Sequence, residues 1–419
     1  MTIFGSIRPE RVALLLLASA SSSPAADTEL DGHVKVRLLA SSFSSDSLIA
    51  DLAGSEALDL ESDLRLNLRW RDGGWSLEGS GQLFALHGER IEYTRRFPPE
   101  LGFLPPRLPD DERRLFDLTT VMSDSGKTAT LARFDRLALA WTGEKTVLRF
   151  GRQALSWGNG LFYAPMDLVN PFDPATIDTE FKVGDDMLYG QYLKDNGNDL
   201  QAALVLRRDP LTGRVENDQA TLAFKYHGLA GTSEYDVLLA RHYGDPVLGF
   251  GGSQGIGGAI WRGDLVLTRT GGRNYVQLVS SLNYSWTAFS KNVTGGIEYY
   301  FSEFGADRDY VLAEQPELLA RLARSELFTL GRQYLATTLT VELSPLWTLT
   351  PLVLTNLQDP SALLQVTAQG SLSDDAIFIG TLSMPLGPAG TEFGGIDSGV
   401  PGRSLASGVS LFLQFAWYF

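Results

Sequence analysis

Val409-Ser410-Leu411-Phe412-Leu413-Gln414-Phe415-Ala416-Trp417-Tyr418-Phe419 is the stretch on which the reading of this chain turns. Val409, Leu411, Leu413, Phe415, Trp417 and Phe419 step by two, and Ser410, Gln414, Ala416 and Tyr418 alternate with them. Period two puts the first set on one face of a strand. In a soluble protein that apolar face and its unpaired edge would invite aggregation. Apolar toward lipid and small or polar toward a lumen, the strand fits a closed membrane barrel. The competing reading is the last strand of a soluble sandwich.

The alternation recurs upstream. Leu60, Leu64, Leu66, Leu68 and Trp70 alternate with Glu61, Asp63, Arg65, Asn67, Arg69 and Arg71. Leu335, Thr337, Leu339, Val341 and Leu343 alternate with Tyr334, Ala336, Thr338, Thr340 and Glu342. Similar runs occur near 31–40, 74–86, 130–142, 145–152, 185–193, 198–208, 218–228, 232–243, 247–261 and 263–270. Others lie near 274–288, 292–303, 346–358, 362–372 and 375–385, for about 18 strands in all (16–18).

Connections test that count. Asp72-Gly73-Gly74, Gly143-Glu144, Asp195-Asn196-Gly197, Gly228 to Gly231, Arg262-Gly263, Ser290-Lys291, Ser344-Pro345 and Ser373-Asp374 read as tight turns at every second connection. Long segments fall only at the others: 41–59, 87–129, 153–184, 209–217, 304–329 and 386–404. Three of those other connections, at 244–246, 271–273 and 359–361, are short too. Short turns at one rim and long loops at the other predict an all-β, antiparallel up-and-down transmembrane barrel with periplasmic turns and extracellular loops. A soluble sandwich has no reason to sort its loops this way.

Arg8 and Arg11 precede the apolar run Val12 to Ala18, and Ser, Ala and Pro follow to Ala26. This predicts a cleaved signal peptide over 1–26 and a single barrel domain over 27–419. The apolar run is far shorter than the ~20 residues of a membrane helix. The stretch before the first strand leaves no room for a plug domain. Without Cys there is no disulfide, thiolate or lipid-anchor chemistry. A net charge of −15 argues against nucleic acid as a partner. Acidic residues gather in connections such as Asp110-Asp111-Glu112, as solvated loops do.

About eighteen strands enclose a lumen too wide for strand side chains to fill. Inward candidates are Arg65, Asn67, Arg69, Arg149, Gln201, Arg207, Lys225, Glu298 and Glu342. Mixed polar residues line any such lumen, so a charge-selective track competes with an ordinary lining. Segment 153–184 carries Leu155, Trp157, Phe162, Tyr163, Met166, Leu168, Val169 and Phe172, too many apolar groups for a loop in water. It reads as a constriction folded into the lumen, with Arg152, Gln153, Trp157, Asp167, Asn170 and Asp173 as lining residues; a cap over the rim is the alternative. Gly331-Arg332-Gln333 repeats Gly151-Arg152-Gln153, which adds Arg332 as a lining candidate. Segment 311–327 reads as a short amphipathic helix in an external loop, packed on the rim or gating it.

Two resemblances bear on these residues. The terminal strand, with Phe415, Trp417 and Phe419, is similar to the C-terminal signature that the assembly machinery of bacterial outer-membrane barrels recognises. Gly151-Arg152-Gln153, Ser156-Trp157-Gly158, Pro165-x-Asp167 and Asn170-Pro171-Phe172-x-Pro174 together resemble a pattern of porin-like outer-membrane proteins of proteobacteria, including alginate-export-type barrels. The resemblance covers about 25 residues directly. It implies a substrate channel or exporter, and in general porins the third loop folds inward. No long basic array of the alginate-exporter kind is present.

Gly251-Gly252-Ser253-Gln254-Gly255 matches G-x-S-x-G but sits in a Gly-rich hairpin, not a strand–turn–helix elbow. His33, His87, His227 and His242 are scattered, and no catalytic or metal-ligating cluster stands out. An enzyme is therefore not expected, nor a cofactor. The leading function is a channel for diffusion or selective passage of small solutes. The second is an export or lipid-transport conduit working with a periplasmic or inner-membrane partner, which aromatic lining or a gap in the wall would favour. Outer-membrane lipids and the barrel-assembly machinery are the other expected partners.

Overall fold

The computed structural model describes residues 26–97, 108–307 and 310–419. All but Ala26 of the expected signal peptide lies outside the described residues. The strands are β1 (Asp27–Ser42), β2 (Glu56–Asp72), β3 (Trp75–Gly88), β4 (Thr119–Ser125), β5 (Thr128–Thr142), β6 (Thr146–Gln153), β7 (Asp185–Leu193), β8 (Asp199–Val205), β9 (Thr221–Ala230) and β10 (Ser233–His242). They continue as β11 (Asp245–Ile256), β12 (Ala259–Thr270), β13 (Arg273–Ala288), β14 (Lys291–Ser302), β15 (Gln333–Ser344), β16 (Trp347–Asn356), β17 (Ser361–Ser373), β18 (Ala376–Leu386) and β19 (Val409–Tyr418). Short helices α1 (Leu48–Ala53), α2 (Glu89–Tyr93) and α3 (Pro316–Ala323) lie in connections.

Each strand pairs antiparallel with its neighbour, and β1 closes on β19, with His33 opposite Tyr418 and Ser42 opposite Val409. Eighteen strands form the ring. The nineteenth, β4, is an arm on β5, whose inner partner is β3. The sequence reading missed β4 because it is short and exposed and lies outside the ring.

Period two does what it predicts. Leu58, Leu60, Leu64 and Leu66 of β2 are exposed on the outer face, while Asp63 and Arg65 are buried on the inner one. The same holds in β19, where Leu411, Phe415 and Trp417 face out and Gln414 and Ala416 are buried inside. Trp75, Trp141, Tyr192, Tyr284, Trp286 and Trp417 are exposed outward near the short-turn rim, the position of an interfacial aromatic belt. The short turns and both strand termini share that rim; the long segments share the other.

One turn is corrected. Arg262-Gly263 lies inside β12, and the reversal occurs at Gly257-Gly258, where both residues have positive φ (+56° and +89°). Two consecutive positive φ values suit a two-residue hairpin and favour glycine. The amphipathic segment in 311–327 forms α3, shorter than expected. Its Arg321 is buried against Glu317 (2.8 Å) and Asp245 (3.2 Å), which ties the helix to the rim.

Candidate functional site

Eighteen strands about 4.8 Å apart and tilted about 40° enclose a backbone cylinder about 35 Å across. The segment between β6 and β7 lies within it and has no regular secondary structure. Many of its polar groups bond the wall instead.

The segment makes two excursions. In the first, the Trp157 indole donates to Gln201 of β8 (2.6 Å). Asn159 donates from its backbone and side chain to Asp264 of β12 (2.8 Å each), and from its side chain to Asp236 of β10 (3.1 Å). The N–H groups of Leu161, Phe162 and Tyr163 then converge on the Glu298 carboxylate of β14 (2.5, 3.0 and 2.8 Å). The Tyr163 ring stacks on Tyr300 at 4.2 Å. The chain turns back, and Met166 packs with Trp157, Ala203, Leu238, Val247 and Val266, all buried. Gly158 has φ +100°, and a Cβ there would meet Asp264, Ala164 and Met166.

The second excursion crosses the lumen. The Asn170 side chain lies near the Val183 and Gly184 carbonyls beside β7. Gln365 of β17, nearly opposite round the ring, donates to the Ala175 carbonyl (3.1 Å). Asp178 and Glu180 then accept from Lys35 of β1 (2.6 and 2.7 Å), and Tyr418 of β19 donates to Glu180 (2.7 Å). Phe181 lies under the Arg65 guanidinium at 4.1 Å, and Arg65 pairs with Asp135 of β5 (3.0 Å). Lys182 joins the two excursions through Asp167 and the Leu155 carbonyl (2.5 Å each).

The ionisable groups on the segment are tuned by these contacts. Burial works to raise the Asp178 pKa, but the Lys35 ammonium hydrogen-bonded to it wins and holds it at about 2. Burial of Asp167 prevails over Lys182 and pushes its carboxyl up to about 6. Where three external segments meet, Glu392 accepts from the Leu330 N–H (2.7 Å), Asn356 (2.7 Å) and the Tyr334 hydroxyl. Burial pushes it up to about 7 despite those bonds.

Of the residues singled out from sequence, Arg65, Trp157, Asp167 and Glu298 are brought together by this segment. Asn170 and Asp173 shape its turns, with Asp173 accepting from the Ala175 N–H (2.8 Å). Lys225 faces inward and pairs with Asp236 (3.0 Å). Arg149 faces inward in β6. Gln153 shares that face but is spent on the Met187 carbonyl (3.2 Å). Arg69 and Glu342 face inward far from the segment, near the short-turn rim, where Asp31 and Asn292 hold them. Arg332 sits at the loop rim with Asp307 (3.0 Å).

Arg152 is a correction. It shares a strand face with the exposed Leu148 and Phe150, opposite Arg149. Its fully buried guanidinium binds Asp186 (2.9 Å), Asp111 (2.8 Å) and the Phe116 carbonyl (2.7 Å). It therefore fastens segment 108–118 to the rim and does not line the lumen. Sequence reasoning missed Lys35, Asp178, Glu180, Asp264 and Gln365. The alternation His33-x-Lys35-x-Arg37 was a usable signal, and the misplaced turn at Arg262-Gly263 hid Asp264.

The architecture is that of an eighteen-stranded outer-membrane porin. OccAB3 of Acinetobacter baumannii superposes with a TM-score of 0.54 at 11% identity, over 94% of this chain and 99% of its own. OccK5 (OpdH) of Pseudomonas aeruginosa gives 0.55 at 10%, over 93% and 98%. A BenF-like porin of Pseudomonas fluorescens Pf-5 gives 0.52 at 8%, over 94% and 98%. At such identities the likeness is one of fold. No family model and no curated protein matches the chain in sequence.

Proposed function

We propose that this protein is an outer-membrane channel for small solutes, with segment 153–184 as the constriction that sets its bore. The observation that carries this is the seating of the segment: its N–H groups, carboxylates and the Ala175 carbonyl are bonded to strands on opposite sides of the lumen, from β8 to β14, β17 and β1. The exposed apolar outer face and its aromatic belt support residence in a bilayer, reached through the expected signal peptide. Excising residues 157–174 is expected to enlarge single-channel conductance several-fold while the heat-modifiable barrel survives. Unchanged conductance in a folded variant would remove the constriction.

The export or lipid-transport reading draws less support. Trp157 and Tyr163 are packed into wall clusters and do not form an aromatic track. Every adjacent pair of ring strands is hydrogen-bonded, so the described wall offers no lateral gap. The finer likeness to alginate-export-type barrels rests on the sequence pattern around 151–174 alone. A silent bilayer with a folded barrel would restore weight to a partner-dependent conduit. We keep the view that the chain is not an enzyme: Gly251 of the G-x-S-x-G match has another use, since a Cβ there would meet Asp264, Asn159 and Met166.

A further inference from the structure

The outer wall of β10–β13 at the loop rim differs from the rest of the rim. The hairpins 243–244 and 271–272 are two residues long, so no extracellular loop rises from this sector. The registers align three outward rows across the four strands. The uppermost contains Arg241, Pro246, Arg269 and Asn274. The next contains Leu239, Leu248, Leu267 and Val276, and below it lie Val237, Phe250, Leu265 and Leu278. A groove of about 400 Å³ is open there, lined by Leu239, Pro246, Leu248, Leu267, Arg269 and Asn274.

The two guanidiniums are exposed and two strands apart, and neither makes an ion pair among the described residues. Arg241 gives one N–H to the Gly244 carbonyl (3.2 Å). Several bases of the neighbouring rim are matched: Arg273 pairs with Glu303 (2.8 Å), Arg324 with Glu326 (3.4 Å), and Arg403 with Asp51 (2.5 Å). In a chain of net charge −15, two uncompensated arginines above an apolar groove are set for an anionic partner. Guanidinium forks match phosphate oxygens, and the leucine rows below match acyl chains. Height fixes the source. The arginines stand where the headgroups of the outer leaflet lie if the aromatic belt marks the opposite interface.

We propose that this face binds a phosphorylated, acylated lipid of the outer leaflet, with Arg241 and Arg269 on its phosphate and Leu239, Leu248 and Leu267 against its chains. The proposal rests on the membrane placement given under Proposed function. The test is native mass spectrometry of the detergent-solubilised chain with a bisphosphorylated hexa-acyl glucosamine disaccharide, against its dephosphorylated counterpart. The phosphorylated lipid is expected to bind at least about tenfold better, and the Arg241→Gln, Arg269→Gln double variant to lose that preference. Arg273→Gln, whose guanidinium is already paired, should keep it. Equal binding of the two lipids, or an unaffected double variant, would overturn the proposal. Displacement by inorganic phosphate would show an anion site without lipid and overturn it equally. Failure of the membrane placement would show separately, as a barrel that does not insert into vesicles.

Discussion

Two arcs of the inner wall solve the same problem in opposite ways. On β1, β2 and β5 the lumen face carries Lys35, Arg37, Asp63, Arg65, Arg133, Asp135 and Arg136, nearly all buried. On β15–β19 it carries hydroxyls, amides and apolar groups, and Glu342 is the one charged residue on that face. The neutral arc satisfies itself across strands. Thr340 and Thr350 meet at 3.1 Å, Thr367 and Thr381 at 2.9 Å, and Thr338 donates to the Pro351 carbonyl (3.1 Å). The charged arc is completed by the segment between β6 and β7, which brings Asp178 and Glu180 to Lys35. Buried charge in this lumen is thus the ionic seat of the segment, whereas the neutral arc holds it only through uncharged groups, Tyr334, Gln365 and Tyr418.

The comparison can be broken by mutation. The largest effect after excision is expected from Asp178→Ala with Glu180→Ala. This leaves the buried Lys35 ammonium without its partners and costs about 3–5 kcal/mol of seating. Conductance should rise and become noisy, and residues 170–184 should become open to protease. Glu298→Ala strands three N–H groups and is expected to cost about 2–3 kcal/mol, releasing the first excursion. Gln365→Ala removes one neutral bond on the other arc, worth about 1 kcal/mol, with a small change in open-state noise. Thr350→Val should stay within about 0.5 kcal/mol and leave conductance unchanged. If Gln365→Ala or Thr350→Val opened the pore as far as the Asp178, Glu180 variant, the distinction between the arcs would fail.

A pH series sharpens it further. Glu392 has its folded pKa raised from 4.5 to about 7, so its junction is firmest below pH 4.5 and loosens as pH rises through about 7. Hydrogen exchange in 387–400, corrected for intrinsic rate, should accelerate as pH rises from about 4.5 to about 7 and level off above it. Glu392→Gln should flatten the profile. Asp178 has its pKa lowered, so its tether is present above pH 3.8 and fades only as pH falls toward about 2. The two clamps therefore fail at opposite ends of the scale.

The barrel was legible because lipid on one side and water on the other impose period two on every strand. All eighteen ring strands were found, usually within a few residues. The turn at Gly257-Gly258 was missed because glycines run through β11 and blur its alternation. That the segment between β6 and β7 is rich in apolar groups was legible; where they land was not. Tyr163 with Tyr300 and Ala175 with Gln365 join positions more than a hundred residues apart, and no local pattern encodes such pairs. Arg152 was misread because a guanidinium on the outer face is normally excluded by lipid. Here Asp111 and Asp186, from two other segments, cover it.

Glu180 touches Lys35 of the first strand and Tyr418 of the last. The landing place of the second excursion therefore straddles the seam where the ring closes, and half of it does not exist until those strands zip together. If the segment is the constriction proposed above, its second excursion can be fully seated only after the seam has closed. A ring open at that seam would keep the first excursion, which is anchored on β8, β10, β12 and β14, and lose one of the two strands that hold Glu180.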